Sequence, residues 1–348
     1  MSVIFLYNEI YRNSSYGKNH PVTLNRVSNV YDASKLMNFN NKIQYMYNDL
    51  ATHKQLGIFH NEEYINKLRI TEKNQSISKE DMQKYNIGTL DNPIFPEMYR
   101  RHAAATGALL LAAKLVNTGE KYIFSPGSGA HHGKPSMASG FCYFNDIATC
   151  ILQLKKIGFR KILYFDMDAH YGDGVIESFR NDPEVVTVSL HQKTLWPKQN
   201  SYEFDKKLNI LNIPVQEGFN DNELKEIFDN KIFPYLEKEK IEVALMQMGA
   251  DCLKDDPISK LELSNNAMMY VLSKVKQIIE KIVVMGGGGY NPWITLRAWL
   301  YNLAVLNNEN LPIILNNETK HFLKSIQWKI NPKKIWLNQL HDEINIFI

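Results

Sequence analysis

Phe165-Asp166-Met167-Asp168-Ala169-His170-Tyr171-Gly172-Asp173-Gly174 follows directly on the apolar run Ile162-Leu163-Tyr164, so a strand runs straight into three carboxylates and an imidazole. In extended backbone the side chains at i, i+2 and i+4 share one face, which lets Asp166, Asp168 and His170 point together. Gly172 and Gly174 then allow a sharp turn away. An acidic turn at the end of a strand accounts for Asp173-Gly174 but not for the other polar groups in register with a buried strand. The stretch reads as a metal site in outline.

Four further apolar runs end in the same way. Tyr122 to Phe124 breaks into small residues before the adjacent His131 and His132, ahead of the Gly-rich run Ala138-Ser139-Gly140-Phe141-Cys142. Val243 to Met248 delivers Gly249-Ala250-Asp251, Ile282 to Met285 delivers Gly286 through Gly289 with Tyr290, and Val185 to Val188 delivers Ser189-Leu190-His191. The runs are continuous in Val, Ile, Leu, Met and Phe rather than alternating, the pattern of parallel strands covered on both faces. Segments of helical length lie between them, such as Asn145 to Ile157 and Asn222 to Lys238. Strand and helix in alternation predict an open α/β sheet, whose ligands bind outside the carboxyl ends of the strands. All five polar clusters fall there.

Composition fits one large enzyme domain over residues 1–348. Of the 348 residues 44% are hydrophobic, ample for a core, and no linker, repeat or low-complexity tract divides the chain. A net charge of +3 with scattered lysines does not imply nucleic acid. No segment reaches the roughly 18 uninterrupted apolar residues of a membrane span; Ala103 to Ala113 reads instead as a buried helix, and Met1 to Asn8 is too brief for a signal-peptide core. Cys142, Cys150 and Cys252 lack C-x-x-C spacing, so structural zinc is not suggested and a reducing cytoplasm is expected, although a specialised secretion route would leave no readable trace. A tail of about 304–348 carries helical patches and tryptophans at 328 and 336 but no motif.

The chain resembles the zinc-dependent deacetylase superfamily of histone deacetylases, acetoin utilisation proteins and acetylpolyamine amidohydrolases, in a class I-like, bacterial-type form. The resemblance runs from about Tyr16 to Trp299 through ordered blocks: His20-Pro21 with Arg26, Asp91-Asn92-Pro93, His131-His132, Gly140-Phe141-Cys142-Tyr143, Asp166 through Gly174, Ser189-Leu190-His191, Gly249-Ala250-Asp251 with Asp256-Pro257, and Gly286 through Tyr290. It implies a single-domain, three-layer arginase/deacetylase-like fold with a central, mainly parallel sheet.

Carried over residue by residue, the resemblance implies Asp168, His170 and Asp251 as ligands of one catalytic metal. Three protein ligands plus an exchangeable position suit catalytic zinc; two carboxylates with one imidazole are harder than the usual zinc set, so Fe(II) competes. It implies His132 as general base and acid, His131 as its electrostatic neighbour, Asp166 and Asp173 as their partners, and Tyr290 as donor to the oxyanion. Asp173 lies on the class I side, where class II relatives carry asparagine. Structural potassium is implied at Asp166, Asp168, His170, Ser189 and Leu190, with a second site at Phe179, Asp182 and Val185. Arg26 matches an arginine near an internal acetate exit.

For substrate, the resemblance implies an acyl-lysine tunnel lined by Gly140, Phe141 and Trp196, with Gly288 also in contact and Asp91 gripping a peptide backbone. Where relatives read Pro-Gly-Thr-Gly, this chain has Pro197-Lys198-Gln199-Asn200. Position 258, acidic in some polyamine enzymes, is Ile258, which favours acetylated protein or peptide over acetylated polyamine. An inactive acyl-lysine binding module and an arginase-type dimanganese hydrolase are disfavoured: every catalytic residue is present, and Asp251-Cys252-Leu253 lacks a closely spaced second carboxylate. No oligomeric state is implied.

Overall fold

The computed structural model describes all residues except Met1, Asn19, Leu24, Asn41, Asn200, Lys206, Ile344, Asn345 and Ile348. Met1 of the opening segment and Asn200 of the divergent loop therefore lie outside the described residues. Among those described, one sheet holds β1 (Ile4–Tyr7), β2 (Gln44–Tyr47), β3 (Tyr122–Ser125), β4 (Ile162–Asp166), β5 (Val185–Gln192), β6 (Glu203–Asp205), β7 (Ile210–Val215), β8 (Val243–Gln247) and β9 (Ile282–Met285). The strand order is β2-β1-β3-β9-β8-β4-β5-β7-β6, and only β6 against β7 is antiparallel.

Strand β4 shows why the runs are unbroken. Ile162 and Tyr164 face one apolar layer while Leu163 and Phe165 face the other, and all are buried. Alternation exists, but both faces are covered. Helices Met98–Asn117 and Asp146–Lys156 cover one face through Leu109, Ala112, Ile147 and Ile151; Asn265–Ile278 and Pro292–Leu306 cover the other through Met268, Val271, Trp299 and Leu303. Asn145 and Asn291 start two of these helices, their side chains accepting from Ala148 N and from Trp293 N and Ile294 N.

Two elements differ from the sequence reading. Strand β5 does not end at Val188 but runs through Gln192, so Ser189, Leu190 and His191 are buried inside it. The helix expected over Asn222 to Lys238 is broken into Asp221–Ile227, a π turn over Phe228–Ile232, and Phe233–Leu236. Pro234 explains the break, because its ring and missing N–H forbid an ordinary i→i−4 bond. The tail joins the main core through Leu323, Trp336 and Leu340, and Arg297 ties it down by an ion pair to Asp342 at 2.9 Å.

Candidate active site

Strands β4, β8 and β9 bring their carboxyl ends together. β4 closes at Asp166, and the bends after it carry Asp168 and His170 to Asp251, which follows β8. His170 Nδ1 lies 3.0 Å from Asp168 Oδ1 and 3.0 Å from Asp251 Oδ2, and donor atoms of the three residues all lie within 4.8 Å of one another. Asp166 does not join this group as strand alternation predicts. The strand stops there, and its carboxylate turns to His131 instead.

Backbone N–H groups hold the donor set in place. Asp168 accepts from Gly288 N at 2.7 Å and His170 N at 3.0 Å, and Asp251 accepts from Ala169 N at 3.0 Å. A Cβ on Gly288 would come within 2.1 Å of Asp251 Oδ2, so only glycine fits there. Burial and the Asp168 charge push Asp251 up to about 6. Burial lowers His170, but the two carboxylates outweigh it and raise it to about 10. Two carboxylates in one dry site resist joint ionisation, and a dication relieves that load while taking neutral imidazole as ligand. The residues fit a divalent cation.

Both tandem histidines are buried. His131 Nδ1 lies 2.9 Å from Asp166 Oδ2, and His132 Nδ1 lies 2.6 Å from Asp173 Oδ1. A carboxylate can only accept, so each Nδ1 donates and each Nε2 is left to face the site. The rings stand 4.0 Å apart, and the His132 ring is 6.0 Å from that of His170. Burial and the neighbouring His131 charge drive His132 down to about 3, which keeps it a neutral acceptor.

Tyr290 sits at the end of the glycine loop, its N–H donated to Asp256 Oδ2 at 2.7 Å. Burial, then Asp251 and Asp168, hold its phenol well above the usual value, so it keeps its proton. Arg26 donates to Gly287 O at 3.0 Å and Gly289 O at 2.8 Å and lies 5.7 Å from the Tyr290 ring centre.

A cavity of about 260 Å³ joins these groups to the surface. Gly140, Phe141, Trp196, Asp91 and Gly288 line it. Trp196 is 49% exposed, its ring 4.8 Å from that of His132, and a Cβ on Gly140 would meet both rings. Asp91 is exposed at the mouth, its carbonyl 3.2 Å from His20 Nε2, and the adjacent Asn92 Oδ1 holds Phe141 N at 3.0 Å. Ile258 is not among the residues that line the cavity; it packs against the apolar cluster that contains Tyr290. Ser189 pairs in register with Asp166 across β4 and β5, and its Oγ lies 2.9 Å from His191 Nδ1, with Leu190 buried beside it. Phe179 O accepts from Asp182 N at 3.0 Å, and the Asp182 carboxylate pairs with Lys155.

Three contributors escaped the sequence reading. Lys134 Nζ lies 2.6 Å from Asp173 Oδ2, Tyr164 donates its hydroxyl to Asp166 Oδ2 at 2.5 Å, and Arg101 lines the cavity. Lys134, two positions past His132, offered a signal in its place alone. Tyr164, two residues before Asp166, offered another through strand alternation.

A family model described as the histone deacetylase domain matches residues 20–306. Type-1 histone deacetylase 1 of Dictyostelium discoideum is 32% identical over 316 residues, covering 89% of this chain and 63% of that protein. Histone deacetylase clr6 of Schizosaccharomyces pombe is 30% identical over 316 residues, covering 89% and 78%. This chain thus spans less than two thirds of the Dictyostelium protein. Among solved structures, an HDAC homolog complexed with SAHA superposes with a TM-score of 0.92 at 35% identity over 99% of this chain and 95% of that one. An HDAC homolog from Aquifex aeolicus gives 0.91 at 35% identity over the same shares. Among the described residues no helix is long and apolar enough to cross a membrane.

Proposed function

The chain belongs to the histone deacetylase family, and on that premise we propose that it hydrolyses the acetyl amide of acetyl-lysine in proteins or peptides, releasing acetate and free lysine. The observation that carries this reading is His132. Its Nδ1 is committed to Asp173 at 2.6 Å, which leaves a neutral Nε2 beside the Asp168–His170–Asp251 cluster.

Asp168, His170 and Asp251 would hold the metal, zinc by preference and Fe(II) in competition. When bound, the cation supplies Lewis acidity that polarises the amide carbonyl and acidifies a water. His132 takes the proton of the attacking water at Nε2, while Asp173 steadies the imidazolium that forms. His132 then returns that proton to the departing ε-nitrogen. His131 stands beside it and sets its charge environment. Tyr290 donates its hydroxyl to the oxygen that gains negative charge. Phe141 and Trp196 flank the four-methylene stem of lysine and exclude water, Gly140 and Gly288 permit close approach, and Asp91 accepts from the peptide backbone. Arg26 anchors the glycine loop and faces acetate on its way out. Potassium at Asp166, Asp168, His170, Ser189 and Leu190 would brace the same loop.

Turnover of acetyl-lysine peptides should exceed that of N-acetylputrescine and N-acetylspermidine in kcat/KM, with one transition metal per chain by elemental analysis. Faster cleavage of the polyamines would move the assignment to acetylpolyamine hydrolysis, and two tightly bound transition metals would sink the single-metal reading.

A further inference from the structure

The cavity that opens at Asp91 and Trp196 has a second, buried end lined by Tyr11, Arg26 and Arg101. Arg101 lies in the helix Met98–Asn117 and is only 8% exposed. Among the described residues its side chain hydrogen-bonds only Ser14, through the carbonyl at 3.4 Å and through Oγ, and its guanidinium stands 5.1 Å from the Tyr11 ring and 5.8 Å from that of Tyr16. Among the described residues no carboxylate pairs with it, and none pairs with Arg26. Arg26 Nε and the hydroxyl of Tyr11, itself 3% exposed, are both buried without a hydrogen-bond partner.

The nearby buried carboxylates are already engaged. Asp146 accepts from Gly129 N at 2.9 Å and Ala130 N at 2.8 Å, Asp166 from His131 and Tyr164, and Asp168 and Asp251 from the ligand cluster. Burying the Arg101 guanidinium without a paired carboxylate is unfavourable unless a ligand supplies one; Glu97 acts on it by charge without forming an ion pair, and the half-buried Arg26 adds a second positive charge beside it. A planar fork with an adjacent phenol matches a carboxylate.

We propose that this buried end binds the terminal carboxylate of a dicarboxylic acyl group, so that lysines carrying succinyl or glutaryl groups are substrates. The inference rests on the amide-hydrolase reading above and deepens it. The amide carbonyl sits at the ligand cluster, and the acyl chain extends inward to Arg26 and Arg101. Water adds across the amide C–N bond: the acyl carbon keeps the hydroxyl and becomes a second carboxylic acid, the ε-nitrogen takes the proton, and free lysine and the dicarboxylate depart.

The test compares peptides of one sequence whose lysine carries acetyl, succinyl or succinamoyl, the last being the uncharged isostere of the second. Succinyl should exceed succinamoyl in kcat/KM by at least about tenfold, as a charge-assisted pair implies. That ratio should collapse in Arg101→Gln, fall in Tyr11→Phe and persist in Arg101→Lys. Tyr11→Phe removes only an unpartnered hydroxyl, so it reports even if Arg101→Gln fails to fold. Calorimetry with N-butylsuccinamate against N-butylsuccinamide gives the same comparison without turnover. Cleavage of acetyl-lysine with no preference for succinyl would overturn the carboxylate pocket and leave the deacetylase reading standing. Preferential binding of the succinamate by a protein that cleaves none of the peptides would uphold the pocket and overturn the hydrolase. Equal binding of the two probes overturns the pocket in every case.

Discussion

His131 and His132 are neighbours in the chain, both buried, both bound through Nδ1 to a carboxylate, and yet they titrate in opposite directions. Burial lowers His131, but the charges of Asp166 and Asp168 outweigh it and raise it to about 9; His132 falls to about 3 through burial and the charge of His131. The carboxylates differ in what else they hold. Asp166 is braced by neutral donors, the Tyr164 hydroxyl and Asp168 N, so its charge remains available to His131. His131 Nε2 also lies 3.8 Å from Asp168 Oδ1. Asp173 shares its charge with Lys134 at 2.6 Å. Adjacent imidazoles become a cation and a neutral acceptor because one sees two carboxylates, while the other, equally buried, sees that cation and a single carboxylate.

The widest break in this comparison comes from removing the acceptor. His132→Ala should fold and bind metal yet lose about 10²- to 10⁴-fold in kcat, the usual worth of a positioned acid–base group. Steady-state kinetics on an acetyl-lysine peptide checks it, and near-wild-type turnover would hand the role to His131. Tyr290→Phe leaves both histidine pairs intact and should cost on the order of 10²-fold in kcat, the price of one oxyanion donor. If it instead changes only KM, Tyr290 binds substrate without attending the transition state. His131→Ala removes a neighbouring charge rather than a proton carrier, so its loss should be smaller, roughly fivefold to tenfold for a charge interaction of about 1 kcal/mol. A loss larger than that of His132→Ala would reverse the two roles.

The sheet was legible because parallel strands buried on both faces have no choice but to be apolar throughout, as Ile162 to Phe165 demonstrate. The end of β5 was not. Ser189 and His191 look like a loop by polarity, but they bond each other at 2.9 Å inside the strand, and a satisfied polar pair can be buried where an unsatisfied one cannot. Strand alternation grouped Asp166 with Asp168 and His170, but it assumed extended backbone beyond the residue where β4 stops, and Asp166 turns to His131 instead. The set of Asp168, His170 and Asp251 needed the resemblance, because only the fold brings the end of β8 to the end of β4. Arg101 carried no signal at all. A basic residue in a helix is ordinary on a surface, and only the packing of Tyr11 and Tyr16 over it makes it unusual.

The finest test of the comparison is Lys134. Its ammonium is about three-quarters buried between Asp173 Oδ2 at 2.6 Å and Glu177 Oε2 at 2.9 Å, and nothing places it against substrate. It acts on His132 only by holding the carboxylate that holds the ring, which makes it a positioning residue. Lys134→Met should therefore lower kcat by roughly three- to tenfold, the scale of one partly solvated charge-assisted contact, with KM unchanged. Lys134→Arg should restore most of the loss, since a second cation can reach the same oxygen. Combined with His132→Ala, the Lys134→Met substitution should add almost nothing, because the group it positions is gone. Full additivity in that double mutant would mean that Lys134 contributes through surface charge or stability, and the distinction between the two histidine pairs would then rest on Asp166 and Asp168 alone.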